Sequence, residues 1–254
     1  MSLQKTEALV LKVQKLGETS KILVLYSKKY GKIKVVAKGS RGLKSRFYGT
    51  LEPINHISII YYLKDTRELQ LLSQAEIVHP FNSIREDLTK YAVASVFCEL
   101  IERTQLQQPN PYLFHILIDV LSQLDQAEKN ILNYYFWFIL KFLQISGFNP
   151  RLDYCQMCKT RQLKQDVSFS MADGSFTCAE CSLPKSMNIS ASPETIYFLQ
   201  KLQHSSASNV GAIENPTAES CDTILLTFLQ YHIEDTKKLK SLKFLKHILN
   251  QHRV

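Results

Sequence analysis

Between residues 6 and 78 the apolar positions come in short runs. Ala8-Leu9-Val10-Leu11-Lys12-Val13, Lys21-Ile22-Leu23-Val24-Leu25-Tyr26 and Lys32-Ile33-Lys34-Val35-Val36-Ala37 are rich in branched side chains, and Gly17, Gly31 and Gly39 punctuate them. Two more runs follow, His56 to Tyr62 and Glu68 to Ala75, with Lys64-Asp65-Thr66-Arg67 as a hairpin turn between them. Five short strands with no long helix among them predict a small antiparallel barrel or sandwich. A five-stranded OB-type barrel over residues 1–80 fits the length, and an SH3-like barrel has the same strand count.

The period changes after His79-Pro80. Ser83-Ile84-Arg85-Glu86 matches a capping box, and Ile84, Leu88, Tyr91, Ala92, Ser95 and Val96 then recur at helical spacing. Pro109 to Pro111 breaks this run. Leu113 to Leu124 reads as a second helix and Ala127 to Ser146 as a third, stopped by Gly147 and Pro150. Ser192 with Pro193 marks another helix start. Residues 204–217 read as a loop, and Cys221–Ile233 and Ser241–Leu249 as closing helices. The expectation is an α+β multidomain chain. Its barrel spans 1–80, and a helical domain spans 81–254 with a cysteine module embedded at about 151–185.

Composition supports a folded chain: of 254 residues, 45% are hydrophobic and 21% charged. The most apolar stretch, Ile131 to Ile145, is too short to span a bilayer and contains Lys141. The opening Met1-Ser2-Leu3-Gln4-Lys5-Thr6-Glu7 lacks a signal-peptide layout, so a cytoplasmic location is expected.

Net charge is +8, and its placement carries the information. Residues 1–80 hold 14 Lys/Arg against 6 Asp/Glu, and residues 81–254 hold 17 against 17. Such asymmetry points to a polyanion at the first third. No acid lies between Glu18 and Glu52. Candidate phosphate contacts in that interval are Lys28, Lys32, Lys34, Lys38, Arg41, Lys44 and Arg46. A side-chain period of two puts Lys32, Lys34 and Lys38 on one strand face, with Ile33, Val35 and Ala37 toward a core. Residues 38–46 read as a flexible basic loop. Tyr30, Phe47 and Tyr48 are interleaved, and either pack in the barrel or stack on bases.

Four of six cysteines fall as Cys155-x2-Cys158 and Cys178-x2-Cys181. Two residues between thiolates let one turn aim both sulfurs at a point, and two such turns close a tetrahedral structural zinc site. Between the pairs, Val167 to Met171 alternates and Asp173-Gly174 signals a hairpin. Cys98 and Cys221 have no partner spacing and read as core residues. No P-loop, Rossmann glycine pattern, HExxH or GxSxG occurs, so a non-enzymatic protein is expected.

These residues together resemble the bacterial RecO family of recombination and repair mediators. The resemblance rests on Ala8-Leu9-Val10-Leu11, Leu16-Gly17-Glu18-Thr19-Ser20-Lys21, Tyr30-Gly31-Lys32 and Val36-Ala37-Lys38-Gly39. It continues through Leu51-Glu52-Pro53, Leu69 to Glu76, Gly147-Phe148-Asn149-Pro150 leading into Cys155 and Cys158, and Leu239 to Leu245. It implies an N-terminal OB fold, a helical domain and a zinc-binding segment. It implies binding of single- and double-stranded DNA, strand annealing, and a nucleoid-associated role in DNA damage repair. Implied partners are RecR, the C-terminal tail of the single-strand-binding protein SSB, RecF, and RecA, which is loaded indirectly. The rival expectation is a zinc-containing RNA- or ribosome-associated OB-fold protein.

Overall fold

The computed structural model describes residues 2–42, 44–64, 66–104, 108–182, 188–215 and 217–251. Leu43 in the basic loop and Asp65 in the anticipated hairpin turn lie outside the described residues. The chain divides into two compact units. One holds residues 1–125 and 239–254, the other residues 126–238.

In the first unit, β1 (Ser2–Leu16), β2 (Ser20–Ser27), β3 (Gly31–Ala37), β4 (His56–Leu63) and β5 (Leu69–His79) form a closed barrel in the order β1-β2-β3-β5-β4. All neighbours are antiparallel except β3 and β5, which run parallel with Val35 opposite Gln70. β1 is longer than its apolar run because it serves two partners. Residues 2–9 pair with β4 and residues 8–16 with β2, and the β2 pairing shifts register between Val10 and Lys12. Such a shift bends a strand and helps a sheet to close. Closure leaves no free edge, so polar ends such as Ser2 and Lys15 are held by pairing rather than by burial.

The barrel interior holds Ala8, Val10, Leu23, Leu25, Val35, Ala37, Ile57, Ile59 and Tyr61. Phe47 and Leu51, from the segment between β3 and β4, are buried with them. The described residues of that segment are tied by backbone hydrogen bonds. Arg41 N–H donates to Thr19 O, Ser45 N–H to Gly42 O, and Thr50 N–H to Phe47 O, so it runs as successive turns anchored by Phe47.

The helices of this unit are α1 (Asn82–Glu86), α2 (Leu88–Thr104), α3 (Pro111–Gln126, ending at the unit boundary) and α7 (Lys240–Gln251). The capping box read at Ser83 is not used as one. Phe81, buried and left-handed at φ 49°, precedes α1 without a side-chain cap. Ser83 Oγ instead accepts from Lys90 Nζ at 2.8 Å, and Asp87 Oδ1 caps α2 by accepting from the Thr89 and Lys90 N–H groups. A carboxylate with two converging amides wins over a hydroxyl with none. Arg85 of α1 donates to Pro53 O at 2.8 Å and Asn55 Oδ1 at 2.7 Å, tying the helix to the barrel.

One buried group gives this unit a pH dependence. His56 is 5% exposed, with Nε2 3.2 Å from Glu7 Oε2 but no well-aligned hydrogen bond. Burial holds its imidazole below the ordinary value, Glu7 pulls the other way, and His79 and Lys28 reinforce the burial. A folded-state pKa below the unfolded one contributes stability that is present above about pH 6.5 and is lost as pH falls through the folded value. Thermal melts of this unit should therefore fall on acidification from pH 7 to 5, by at most about 1.4 kcal/mol per pH unit from this group. His56→Asn should flatten that slope. An unchanged slope would assign the acid sensitivity to other groups.

The second unit is built on α4 (Ile131–Ile145), which is buried on nearly every side from Asn133 to Leu143. Packed around it are α5 (Pro193–His204) and α6 (Ala218–His232), and α6 also meets a small sheet of β6 (Val167–Ser170), β7 (Ser175–Thr177) and β8 (Asn188–Ala191), in the order β7-β6-β8. α4 starts later than its apolar pattern suggests. Asn130 is left-handed at φ 54°, and its amide donates to Gly211 O at 3.0 Å. Ser192 caps α5 as expected, accepting from Thr195 N–H at 3.3 Å, with Pro193 at the first helical position. Part of the anticipated 204–217 loop is a 3-10 turn, Ala207–Ala212, with Val210 buried. Asn133 of α4 explains this order: its amide donates to Val210 O and Ile213 O and accepts from Asn215. No helix among the described residues is long and apolar enough to cross a membrane.

Candidate nucleic-acid face and metal centre

The barrel strands set which basic side chains reach solvent. Along β3, Val35 and Ala37 point inward and are fully buried, Ile33 packs partly against the same core, and Lys32 and Lys34 take the alternate positions. Lys32 and Lys34 line one groove of about 840 Å³ with Tyr30, Tyr61, Arg67 and Gln70. Lys38 lies just past the end of β3 and is exposed.

The candidate cations differ in how far they are already engaged. Lys32 Nζ donates to Glu102 O, at the C-terminal end of α2, at 2.6 Å. Lys34 forms an ion pair with Glu68. Arg41 donates to Gly17 O at 2.6 Å, and the Arg46 guanidinium sits 4.9 Å from the Phe47 ring centroid. Lys38 and Lys44 are exposed and enter no ion pair among the described residues. Exposed pairs such as Lys34–Glu68 contribute little and are readily exchanged for a phosphate. Lys28 lies apart from the main groove, in a smaller one of about 460 Å³ with Lys5 and Lys29. Sequence reading passed over Lys5 and Arg67, because nothing in the linear order places them beside the basic stretch.

The aromatics divide. Phe47 is buried, and Tyr30 packs edge-on against Tyr61 with ring centroids 6.0 Å apart while its hydroxyl donates to Gln4. Tyr48 is 72% exposed and is free to stack. Helices cover part of the outer barrel surface. Tyr26 is buried there, 6.2 Å from the Phe114 ring of α3.

In the second unit the four cysteines converge. The Sγ atoms of Cys155, Cys158, Cys178 and Cys181 all lie within 4.8 Å of one another, and Cys158 and Cys178 are 3.7 Å apart. Metal–sulfur bonds of about 2.3 Å in a tetrahedron place sulfurs about 3.8 Å apart, so the spacing fits a metal ion. Local structure makes this convergence. The first turn closes through Lys159 N–H to Cys155 O and Cys155 N–H to Thr160 O, with Lys159 left-handed at φ 63°. The second is the single 3-10 turn Ala179–Cys181. Gln156 N–H donates to Phe176 O, which holds the first turn against β7.

Backbone amides prepare the Cys155 sulfur for negative charge. Burial raises the Cys155 thiol, but N–H donors including Cys178, at 3.3 Å from its sulfur, outweigh this and bring it down to about 6. Hydrogen bonds to Cys178 and Cys158 push Cys181 up to about 12. Four adjacent thiolates repel one another, and a divalent cation at their centre relieves that repulsion. Gly174 seats the β6–β7 hairpin. At φ +59° it is left-handed, and a Cβ there would lie 2.7 Å from the Phe228 ring of α6.

Cys98 and Cys221 are buried away from this cluster, as expected of core residues, and burial raises both thiols, to about 12 and about 11. Among the described residues no other group of three or more His, Cys, Asp or Glu side chains converges in this way.

The fold and these sites define a class of chain: a small closed barrel with a cationic outer surface, joined to a helical unit that carries a four-cysteine cluster. Residues 1–81 match the family model described as Recombination protein O N terminal, and residues 85–243 match Recombination protein O C terminal. The chain belongs to the recombination protein O family. It is 29% identical over 259 residues to the DNA repair protein RecO of Bacillus subtilis (strain 168), covering 99% of each chain. It is 30% identical to that of Thermoanaerobacter sp. (strain X514), covering 98% of this chain and 100% of the relative. It is 32% identical to that of Pelotomaculum thermopropionicum, covering 96% and 94%. The family boundary near residue 81 separates barrel from helices, whereas the compact units divide after residue 125, because α1 to α3 and α7 fold with the barrel.

Proposed function

We propose that this chain is a DNA-binding mediator of recombinational repair that works without catalysis of its own. It binds single- and double-stranded DNA, anneals complementary strands, and acts with RecR on SSB-coated DNA to help load RecA, in a pathway that also uses RecF. The setting is the bacterial cytoplasm, at the nucleoid. The observation that carries this reading is the acid-free segment from residue 19 to 51, which supplies β2, β3 and the turns after them to a closed barrel in a member of this family. We assign the barrel to the OB type, residues 1–80. Lys34, Lys38, Arg41, Lys44 and Arg46 are its principal phosphate contacts, with Lys32 beside them and Lys28 in the smaller groove.

Neutralising phosphates lets two strands approach, which is the physical requirement of annealing. Tyr48 adds a base-stacking surface that is indifferent to sequence. Zinc is the metal assigned to Cys155, Cys158, Cys178 and Cys181: thiolate sets of this kind suit it, and with all four positions filled its role is structural.

The test is strand annealing followed by energy transfer between two labelled complementary strands coated with the cognate SSB. Rapid pairing without nucleotide supports a mediator that engages both DNA and SSB. No pairing on coated or bare strands, together with tight RNA binding, would overturn the reading in favour of an RNA-associated protein. Lys34→Glu combined with Lys38→Glu should weaken single-strand binding at least tenfold at low salt and reduce the slope of log affinity against log salt by about 1.4. An unchanged affinity and slope would show that the DNA face lies elsewhere on the barrel.

A further inference from the structure

By sequence order the last two thirds of the chain are electrically neutral, but the fold redistributes that charge. The unit holding residues 1–125 and 239–254 carries 21 Lys/Arg against 12 Asp/Glu, a balance of +9, and the other unit carries 10 against 11. The change comes from the C-terminal segment. No acid follows Asp235, and α7 folds back onto α2 of the barrel-bearing unit.

α7 is fixed in place and displays its charge on one side. Leu242, Leu245 and Ile248 are buried. Glu99 of α2 accepts from the Ser241 N–H and from its hydroxyl, both at 2.7 Å, which clamps the start of the helix. The remaining face carries Lys240, Lys243, Lys246 and His247, all exposed. At 3.6 residues per turn these four fall within an arc of about 120°, and the three lysines span about 9 Å. Lys240 also lines a groove of about 400 Å³ with Lys12 of β1 and Arg103 of α2. The acids there are engaged, Glu99 by Ser241 and Arg103, and Glu102 by Lys12.

We infer that the exposed lysine face of α7 is a second DNA-backbone site, holding one strand while the basic barrel surface holds another. The inference rests on the reading that this unit binds DNA. A phosphate polymer suits the face better than an acidic peptide does, because the arc presents ammonium groups, an imidazole and Asn250 and offers no apolar side chain for a peptide to bury. A rigid helix clamped to α2 presents its charges without an ordering penalty. Two separate cationic surfaces on one compact unit meet the requirement of annealing, in which two polyanions must be held near each other.

The test uses the full chain with Lys240→Ala, Lys243→Ala and Lys246→Ala combined, alanine being chosen to preserve the helix. Circular dichroism and thermal melting check that it folds. An immobilised oligonucleotide is loaded with protein, and capture of a second, non-complementary labelled strand is measured across a salt series. The expected result is first-strand affinity within about threefold of the parent, second-strand capture reduced tenfold or more at low salt, and a capture slope flatter by about two units, as three lost charges predict. Unchanged capture by the folded variant would overturn the inference while leaving the functional reading intact. Unchanged capture with lost binding of a ten-residue poly-glutamate peptide would assign the face to an acidic protein partner instead. A parent protein that binds no DNA would overturn the functional reading and this inference together.

Discussion

Cys155→Ser is expected to empty the metal centre and unravel the segment around it. Elemental analysis of protein purified without chelators should find about one zinc per parent chain and almost none in the variant. The reason lies in how little else holds these turns. Residues 153–166 contain no helix or strand, and Met157, Cys158 and Lys159 are exposed. Their order comes from a few backbone hydrogen bonds, from contacts of Asp153, Arg161 and Leu163 with Gln200, His204 and Tyr197 of α5, and from the four converging sulfurs. Closed zinc sites of this kind bind with an apparent free energy of about 10–16 kcal/mol at neutral pH, and that binding is coupled to folding. A hydroxyl in place of one thiolate leaves three ligands and an exposed fourth position. Chelation of the parent protein should reproduce the effect, as new proteolytic cleavage within residues 153–182. Full zinc occupancy in the variant, or a parent chain that carries no metal, would refute the assignment.

Trp137→Ala should lower the melting temperature of the second unit by roughly 10 °C or more, as followed by calorimetry. Trp137 is 2% exposed in the middle of α4, its indole N–H donates to Ser205 O at 2.9 Å, and Lys141 Nζ lies 5.6 Å from its ring centroid. Emptying a fully packed aromatic site costs about 3–5 kcal/mol, because the surroundings collapse only in part. The lost indole donor also frees the chain after α5, which Trp137 and Asn133 hold from the same helix. A shift below about 3 °C would mean that the neighbouring aromatics, Phe136 and Phe138 among them, refill the space.

Much of the local structure was open to inspection in the linear order. Short apolar runs punctuated by glycine marked all five barrel strands to within a few residues at most ends. Ser192-Pro193 marked the start of α5 because both residues act on backbone groups within one turn. The two CxxC pairs marked the four-cysteine cluster because each knuckle is a local object, and only the meeting of the two required the β6–β7 hairpin. A helix does start beside Ser83, but the capping box read there misled for a related reason. The same few residues offer two carboxylates and a hydroxyl, and the choice of cap depended on Lys90 arriving to take the Ser83 hydroxyl.

Long-range electrostatics and burial were settled only in three dimensions. Whether Tyr30, Phe47 and Tyr48 pack or stack has no linear signal, because an aromatic beside lysines reads the same in both cases. Barrel closure buried Phe47, turned Tyr30 against Tyr61 and left Tyr48 outside. The ion pair between Lys34 and Glu68 joins β3 to the residue just before β5, brought near by the parallel pairing of the two strands. Charge along the chain implied that the basic surface ended near residue 80. The return of α7 to α2, through a buried leucine face and the Glu99–Ser241 clamp, placed a second acid-free segment in the barrel's own unit. Local propensity and spacing act within a turn or a strand and are readable from residue order. Which distant faces meet depends on the burial of apolar surface by the whole chain, and only the folded molecule records it.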